Sequence, residues 1–441
     1  MTISQLHEIF LQCGSRITTD SRAITGGELF VALKGENFDG NQFARQALES
    51  GAAYCVVTEG SDAAASRDPR MIAFPDTLKA LQSLASYHRE NTLHDGNRIK
   101  MLALTGTNGK TTTKELVKVV LQTKFNIVAT DGNFNNNIGM PLTLLRMTED
   151  TELAIIEMGA SHPGDIRELV EIAHPDFGLI NNVGRAHLLG FGDFEGVKRT
   201  KGELYDYIRS VRGKCFVNTS LQDLNDMVNE REGLQTIPYG PFLQNAKILP
   251  PTAENPFLRM SISEGGRTYL IQTHLVGSYN SDNVLAAIAV GKEFGIDTQT
   301  AINAIETYSP TNNRSQMYGT QDNTLIVDAY NANPSSMAAA LENFCLIRSP
   351  RKAVFLGDML ELGDESLPEH AKVIAKLREM GPELVILVGK EFAAAAGNGK
   401  YLCFRTSEDA ADYLSKNPIQ GFTVLIKGSR GTRMEKLIPV L

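Results

Sequence analysis

The stretch that most restricts the fold is residues 104–115, LTGTNGKTTTKE, taken with its flanks. Ahead of it, residues 99–104 (IKMLAL) form a short apolar run that reads as a buried strand, and residues 111–121 have helical character. A strand, a glycine turn and a helix start follow in order, which is the βα unit from which parallel sheets are built. Gly106 and Gly109 let the backbone approach a ligand closely. The amides of such a turn point at phosphate oxygens, and Lys110 adds a positive point charge. The expected nucleotide contacts are therefore Thr105, Gly106, Thr107, Asn108, Gly109, Lys110, Thr111 and Thr112, with the Thr111 hydroxyl placed to reach a magnesium ion. The longer pattern G-x-x-x-x-G-K-[ST] asks for glycine at position 104, where this chain has Leu104, so the match is partial. A solvated glycine-rich turn is the plain alternative.

The same alternation recurs along the chain, and 441 residues exceed what one core holds. Three blocks emerge, with expected domains at 1–97, 98–309 and 310–441. The first carries apolar runs at 29–33 and 54–58, a helical stretch at 43–50, and a polar segment at 89–98 (RENTLHDGNR) that reads as a linker. The second places strands at 101–104, 126–130, 153–158, 177–183 and 215–218, most of them separated by helical stretches. Such alternation implies an α/β protein with a mostly parallel sheet covered on both faces. The third repeats the habit at 324–328, 353–357, 384–389 and 424–427, and reads as a smaller doubly wound unit. Residues 240–267 are irregular and suit a hairpin insertion.

Composition excludes several function classes. With 42% hydrophobic residues and no long uninterrupted apolar run, the sequence offers no membrane span. Its opening, MTISQLHEIFLQCG, lacks the basic, apolar and small-residue order of a signal peptide, so the cytoplasm is the expected compartment. Five scattered cysteines without a CxxC pair argue against disulfides or a zinc site and for buried thiols. A net charge of −8 argues against general nucleic-acid binding.

Phosphoryl chemistry needs a metal beside the phosphate cradle. Residues 153–157 (LAIIE) read as an apolar strand ending in Glu157, where a nucleotide hydrolase sets its metal-ordering acid; an ordinary charged strand end is the alternative. The strand at 178–183 delivers His187 just beyond the same edge of the sheet, where open sheets bind ligands. A structural or solvated histidine is the alternative there. Lys201, within KRTKGELYDYI, lies on a helical pattern, and most lysines so placed are solvated.

Taken together, the motifs resemble the Mur ligase family of peptidoglycan synthesis. The resemblance runs through DSR at 20–22, LFVALKGENFDG at 29–40, TGTNGKTTTKE, NFNNNIGMPLTLL at 133–145 and IIEMGASHPGDI at 155–166. It continues through the His187 and Lys201 segment, VGSYNSDN at 276–283, NNRSQ, VDAYNANPSSM at 327–337, LGDMLELG at 356–363 and KGSRGTRME. Members of the family share the shorter TGTxGKT loop, so the absent glycine at position 104 is a family trait.

The resemblance implies three domains: a smaller N-terminal α/β domain for a uridine nucleotide, a central P-loop ATPase domain, and a C-terminal Rossmann-like domain. It also implies a monomer using ATP and two magnesium ions to join UDP-N-acetylmuramoyl-tripeptide to D-alanyl-D-alanine through an acyl phosphate. A carboxylate is a poor electrophile until it carries a leaving group, which explains why the chain shows no nucleophile triad. By this carry-over Lys110 and Arg314 bracket the transferring phosphate. Thr111, Glu157 and His187 serve magnesium, and Lys201, with Lys198 as a nearby competitor, matches a lysine that many family members carbamylate. Asn280 and Asn283 match residues near adenine, with helix capping as the alternative. Asp328 and Asn331 match a site beside the ATP ribose and base, or else form a strand-end turn. Ser21, Arg22 and Asp39 match uridine-nucleotide contacts, or else a polar turn. Asn135, Asn136 and Asn137 face the muramoyl peptide, or else form a turn cluster. Asp358 and Glu361 are weaker candidates for docking the dipeptide amine. Gly431 stands where the family often has serine, so that loop receives no role. The absence of a DNPR-like segment, with YNANPSSM in its place, favours dipeptide addition over addition of a diamino acid. The rival readings are a neighbouring enzyme with the same mechanism, such as the third-residue Mur ligase or a folylpolyglutamate synthase, and a non-catalytic nucleotide-binding protein or switch on the same fold.

Overall fold

The computed structural model describes residues 1–35, 38–251, 255–311, 316–397 and 399–441. The chain forms a mixed α/β structure in which most strands run parallel. Its central sheet has six strands in the order Gln235–Tyr239, Lys214–Asn218, Phe177–Ile180, Lys100–Thr105, Leu153–Glu157 and Ile127–Ala129. All are paired in parallel. The strand feeding the glycine loop, Lys100–Thr105, lies in the middle, and the chain winds first to one side of it and then to the other. That reversal opens a crevice at the carboxyl ends of the strands, where doubly wound sheets bind ligands.

The inner strands of this sheet are apolar because both of its faces are covered there. On one face, Leu116, Val117 and Val120 of the helix Lys110–Leu121 pack with Val284, Ile288 and Ile302 of two later helices. On the other, Ile166, Leu169 and Val170 pack with Leu204 and Ile208 of the helix Phe194–Ser210. Leu6, Phe10, Leu81 and Leu84 from the first block join that same core.

The first block carries a four-stranded parallel sheet of Ile17–Thr18, Leu29–Val31, Tyr54–Thr58 and Met71–Phe74. The last block carries six strands in the order Gln316–Gly319, Thr324–Asp328, Thr423–Lys427, Lys352–Gly357, Leu384–Val388 and Leu402–Phe404. Only the first of these is antiparallel to its neighbour. The irregular 240–267 region contributes to a three-stranded antiparallel sheet, Lys247–Leu249, Phe257–Glu264 and Arg267–Val276, its last two strands joined at Gly265 and Gly266.

Two expectations need correction. Residues 89–98 are no loose linker: Arg89 lies within the helix Thr77–Asn91, and the rest includes a ribbon of Leu93–His94 and Asn97–Arg98. The Arg89 guanidinium is fully buried and donates to the Ala173 carbonyl at 3.1 Å and the His174 carbonyl at 3.4 Å. A polar sequence reads as linker because local pattern cannot report a tertiary partner. The cysteines are also not uniformly buried, since Cys345 and Cys403 are exposed; all five are free.

Candidate functional site

The glycine loop begins where the Lys100–Thr105 strand ends and closes at the helix Lys110–Leu121. Gly106 (φ 148°) lies against the next strand's end, where a Cβ would come within 2.8 Å of the Asn181 Cβ. Gly109 (φ 78°) is left-handed, and a Cβ there would sit 2.7 Å from Asn283 Oδ1. Both positions therefore require glycine. Lys110 folds back over the loop, its Nζ donating to the Gly106 carbonyl at 2.7 Å and to the Thr107 carbonyl at 3.2 Å.

Neighbouring asparagines hold the loop in shape. The Thr107 N–H donates to the Asn182 carbonyl at 3.0 Å, and the Asn108 N–H to Asn182 Oδ1 at 2.9 Å. Asn283 Oδ1 accepts from the Thr113 hydroxyl at 2.9 Å, and its Nδ2 donates to Asn280 Oδ1 at 2.9 Å. Asn280 and Asn283 thus brace the loop helix from behind while their residues also line the cleft. Neither side chain caps its helix.

A cleft of about 720 Å³ opens above the loop. Of the sequence candidates it is lined by Thr107, Asn108, Gly109, Lys110, Thr112, Asn135, Asn136, Asn137, Glu157, His187, Asn280, Asn283, Asp328 and Asn331. Thr111 is buried, and its Oγ1 has no hydrogen-bond partner. Glu157 ends its strand as expected, and its Oε1 accepts from Asn135 Nδ2 at 2.8 Å. Its Oε2, like Thr111 Oγ1, is buried and unpartnered. Two orphaned buried oxygens on adjoining elements are the hard donors that a magnesium ion takes together with phosphate and water. Among the described residues no group of three or more histidines, cysteines or carboxylates could hold a metal by itself.

His187 adopts a left-handed backbone (φ 52°) at the start of the short helix Leu188–Phe191, and its Nδ1 pairs with Glu361 of the last block. Burial pushes its pKa down against the opposing pull of the Glu361 carboxylate, and Lys110 and Lys201 push the same way as burial. Lys201 is not solvated. Its residue is 2% exposed, its Nζ lies 5.7 Å from the Phe191 ring centre, and burial first, then the Lys110 charge, lowers its pKa well below that of an ordinary lysine. Its rival Lys198 pairs with Glu195 and Asp223 at 3.5 Å.

The last block supplies the opposite wall. Asp328 Oδ2 accepts from Lys427 Nζ at 2.5 Å, and the same amine donates to the Asn331 carbonyl at 3.2 Å. Asn108 crosses directly to this wall: its Nδ2 donates to Ser335 Oγ and its Oδ1 accepts from Asn333 Nδ2, both at 2.9 Å. Asn333 also caps the helix Pro334–Leu346. The candidates Asn333 and Ser335 were missed in the sequence, although they sit inside the quoted segment VDAYNANPSSM. Asn181 and Asn182 also meet the loop, and their signal in the sequence is position: two amides at the end of a strand beside the loop strand.

Other candidates lie elsewhere. Ser21, Arg22 and Asp39 follow strand ends of the first sheet and do not line the cleft. The Arg22 side chain is 88% exposed and forks onto Asp20, while Asp39 caps a short turn through the Asn41 N–H at 2.9 Å. Asn136 accepts from the Gly139 N–H at 2.9 Å, and Asn137 Nδ2 donates to Glu168 at 3.4 Å. Asp358 is buried and accepts from the Glu391 and Phe392 N–H groups at 3.1 and 2.9 Å at the start of a helix, away from the cleft above the loop. Arg314 lies outside the described residues.

Three family descriptions match successive stretches of the chain: "Mur ligase family, catalytic domain" over residues 15–89, "Mur ligase middle domain" over 104–291 and "Mur ligase, glutamate ligase domain" over 313–430. The sequence is 33% identical over 432 residues to the UDP-N-acetylmuramoyl-tripeptide–D-alanyl-D-alanine ligase of Bacillus subtilis, covering 96% of this chain and 92% of that protein. A crystal structure of MurF from Acinetobacter baumannii superposes with a TM-score of 0.83 at 30% identity, covering 96% of this chain and 92% of the other. The MurF ligase of Thermotoga maritima in complex with ADP gives a TM-score of 0.83 at 25% identity, covering 96% of each chain. With family models matched over three successive stretches and relatives 30–33% identical over nearly its whole length, this chain belongs to the Mur ligase family.

Proposed function

We propose that the chain is an ATP-dependent ligase that adds D-alanyl-D-alanine to UDP-N-acetylmuramoyl-tripeptide, giving ADP, phosphate and the UDP-linked pentapeptide used in peptidoglycan synthesis. The observation that carries the reading is a cleft walled by two different sheets and lined by Lys110 and Glu157, with Thr111 Oγ1 and Glu157 Oε2 buried and unpartnered beside the loop. In this reaction the tripeptide carboxylate attacks the γ-phosphorus of ATP and ADP leaves. The dipeptide amine then attacks the acyl carbon, loses a proton, and phosphate departs as the amide forms. The protein's task is to position reactants and offset charge.

Lys110 and the loop amides hold the phosphates, and the family resemblance gives Arg314 a role on the transferring phosphate. Asn280, Asn283, Asp328 and Asn331 surround the remainder of ATP. Ser21, Arg22 and Asp39 hold the uridine nucleotide, and Asn135, Asn136 and Asn137 meet the muramoyl peptide. Thr111 and Glu157 would hold one magnesium ion, and His187 with a carbamylated Lys201 a second. Bound there, magnesium neutralises the charge that builds on the transferring phosphoryl group. The reading assigns domains 1–97, 98–309 and 310–441, a monomer, and a cytoplasmic location where ATP and the nucleotide precursor meet.

The test is phosphate release from ATP with UDP-N-acetylmuramoyl-tripeptide, with and without D-alanyl-D-alanine, followed by mass analysis of the nucleotide product. Both lysine- and diaminopimelate-containing tripeptides are supplied. Dipeptide-dependent release with a pentapeptide product is expected. No release with either tripeptide would overturn the assignment.

A further inference from the structure

Lys114 has no part in the reaction described above, yet its side chain is fully buried. It sits one turn beyond Lys110 and Thr111 on the helix Lys110–Leu121, and three residues after Thr111, so the two share a helix face. A buried ammonium is retained only where it has acceptors. Lys114 Nζ donates to the Thr130 carbonyl at 2.6 Å and forms an ion pair with Glu115 Oε1 at 2.6 Å.

Thr130 is itself held on two further sides. Its N–H donates to the Ile155 carbonyl at 3.0 Å, and its hydroxyl accepts from the Glu157 N–H at 3.0 Å. A continuous tie therefore runs from the helix that carries Thr111, through Lys114 and Thr130, to the backbone of Glu157. At its ends stand the two buried oxygens without partners, Thr111 Oγ1 and Glu157 Oε2. The strands Lys100–Thr105 and Leu153–Glu157 are also bonded to each other, but those bonds do not reach the helix, whose other side-chain ties run through Thr113 to Asn283 and Asn181 and not to the Glu157 strand. A charge-assisted hydrogen bond is short and directional enough to fix what packing leaves adjustable.

We infer that Lys114 is a positioning residue that sets the spacing of Thr111 Oγ1 and Glu157 Oε2, and through it the affinity of the site for a nucleotide-bound divalent cation. The inference rests on the ATP site proposed above. Groups that orient metal ligands without touching the metal act in this way.

The experiment measures Mn²⁺ binding by electron paramagnetic resonance in the presence of ADP, for the unaltered chain and for Lys114→Met, Thr130→Val, their combination, and Glu115→Gln. Lys114→Met and Thr130→Val are each expected to weaken Mn²⁺ binding by about tenfold or more, the range found for second-layer partners. Because both cut one tie, the double variant should fall no further than the more affected single variant. Glu115→Gln leaves the Lys114–Thr130 bond in place and should stay close to the unaltered chain, and ADP affinity without metal should not move. A Lys114→Met protein that melts earlier but binds Mn²⁺ normally would show a structural role alone and overturn the inference. If that variant does not fold, unchanged Mn²⁺ affinity in Thr130→Val overturns it instead. Absence of ADP-dependent Mn²⁺ binding in the unaltered chain would bring down the ATP site itself, an outcome distinct from the other two.

Discussion

Lys201 shows how a single residue changes meaning once its surroundings are known. On a helix in sequence it is an ordinary solvated charge; in the fold it is buried, and both burial and Lys110 favour its neutral amine. A neutral amine is the form that adds carbon dioxide, and the product exchanges a cation for an anion beside a phosphate site. Enzyme kept in carbon-dioxide-free buffer should therefore lose phosphate release by about 10²-fold, the scale of one preorganised charged group, and bicarbonate should restore it. Lys201→Ala should stay inactive with or without bicarbonate. Equal rates in both buffers for the unaltered enzyme would rule the modification out.

At the scale of elements, the helix Thr77–Asn91 joins the first block to the centre through polar groups that face inward. His88 is buried between His7, whose Nε2 lies 2.9 Å from its Nδ1, and the Met147 carbonyl, 2.9 Å from its Nε2. The carbonyl can only accept, so His88 carries its proton on Nε2 and receives a bond from His7 at Nδ1. Tyr87 packs edge-on against His7, and Thr92 adds a hydroxyl at 3.3 Å from the His88 ring. Burial lowers the pKa of both histidines below 6.5. As pH falls through 6.5 the unfolded chain binds protons before the folded one does, so stability present above that pH is lost in the window between 6.5 and the folded value. Thermal melts between pH 7.5 and 5.5 should show this loss, and His88→Gln should flatten the slope by up to one proton, about 1.4 kcal/mol per pH unit. Parallel melting curves for the two proteins would refute the assignment.

Across the whole molecule, the phosphate loop is shared property: Asn108 belongs to the central sheet's loop, while its partners Asn333 and Ser335 come from the last block. On the proposed function, closing these units over ATP would complete the site and exclude water. Ser335→Ala should raise the KM for ATP by about fivefold to tenfold, the worth of one neutral hydrogen bond, and leave the melting temperature nearly unchanged. An unaltered KM would mean the contact does not contribute to nucleotide binding. Much of this architecture was legible in advance. Gly106, Gly109, Lys110 and Glu157 could be read because each depends on near neighbours: a glycine turn, a strand end, an apolar run of the right length. Arg89, Lys114, Asn182 and Ser335 could not, because their partners stand between 16 and 227 residues away in the chain. The sequence alone determined the βα alternation, the phosphate loop and the resemblance that names the chemistry, since periodicity and turn residues act over a few positions. Only the tertiary structure decided that Lys201 and Arg89 are buried, and that Thr111 Oγ1 and Glu157 Oε2 are left without partners on adjoining elements, because burial and hydrogen-bond pairing arise only when distant segments meet.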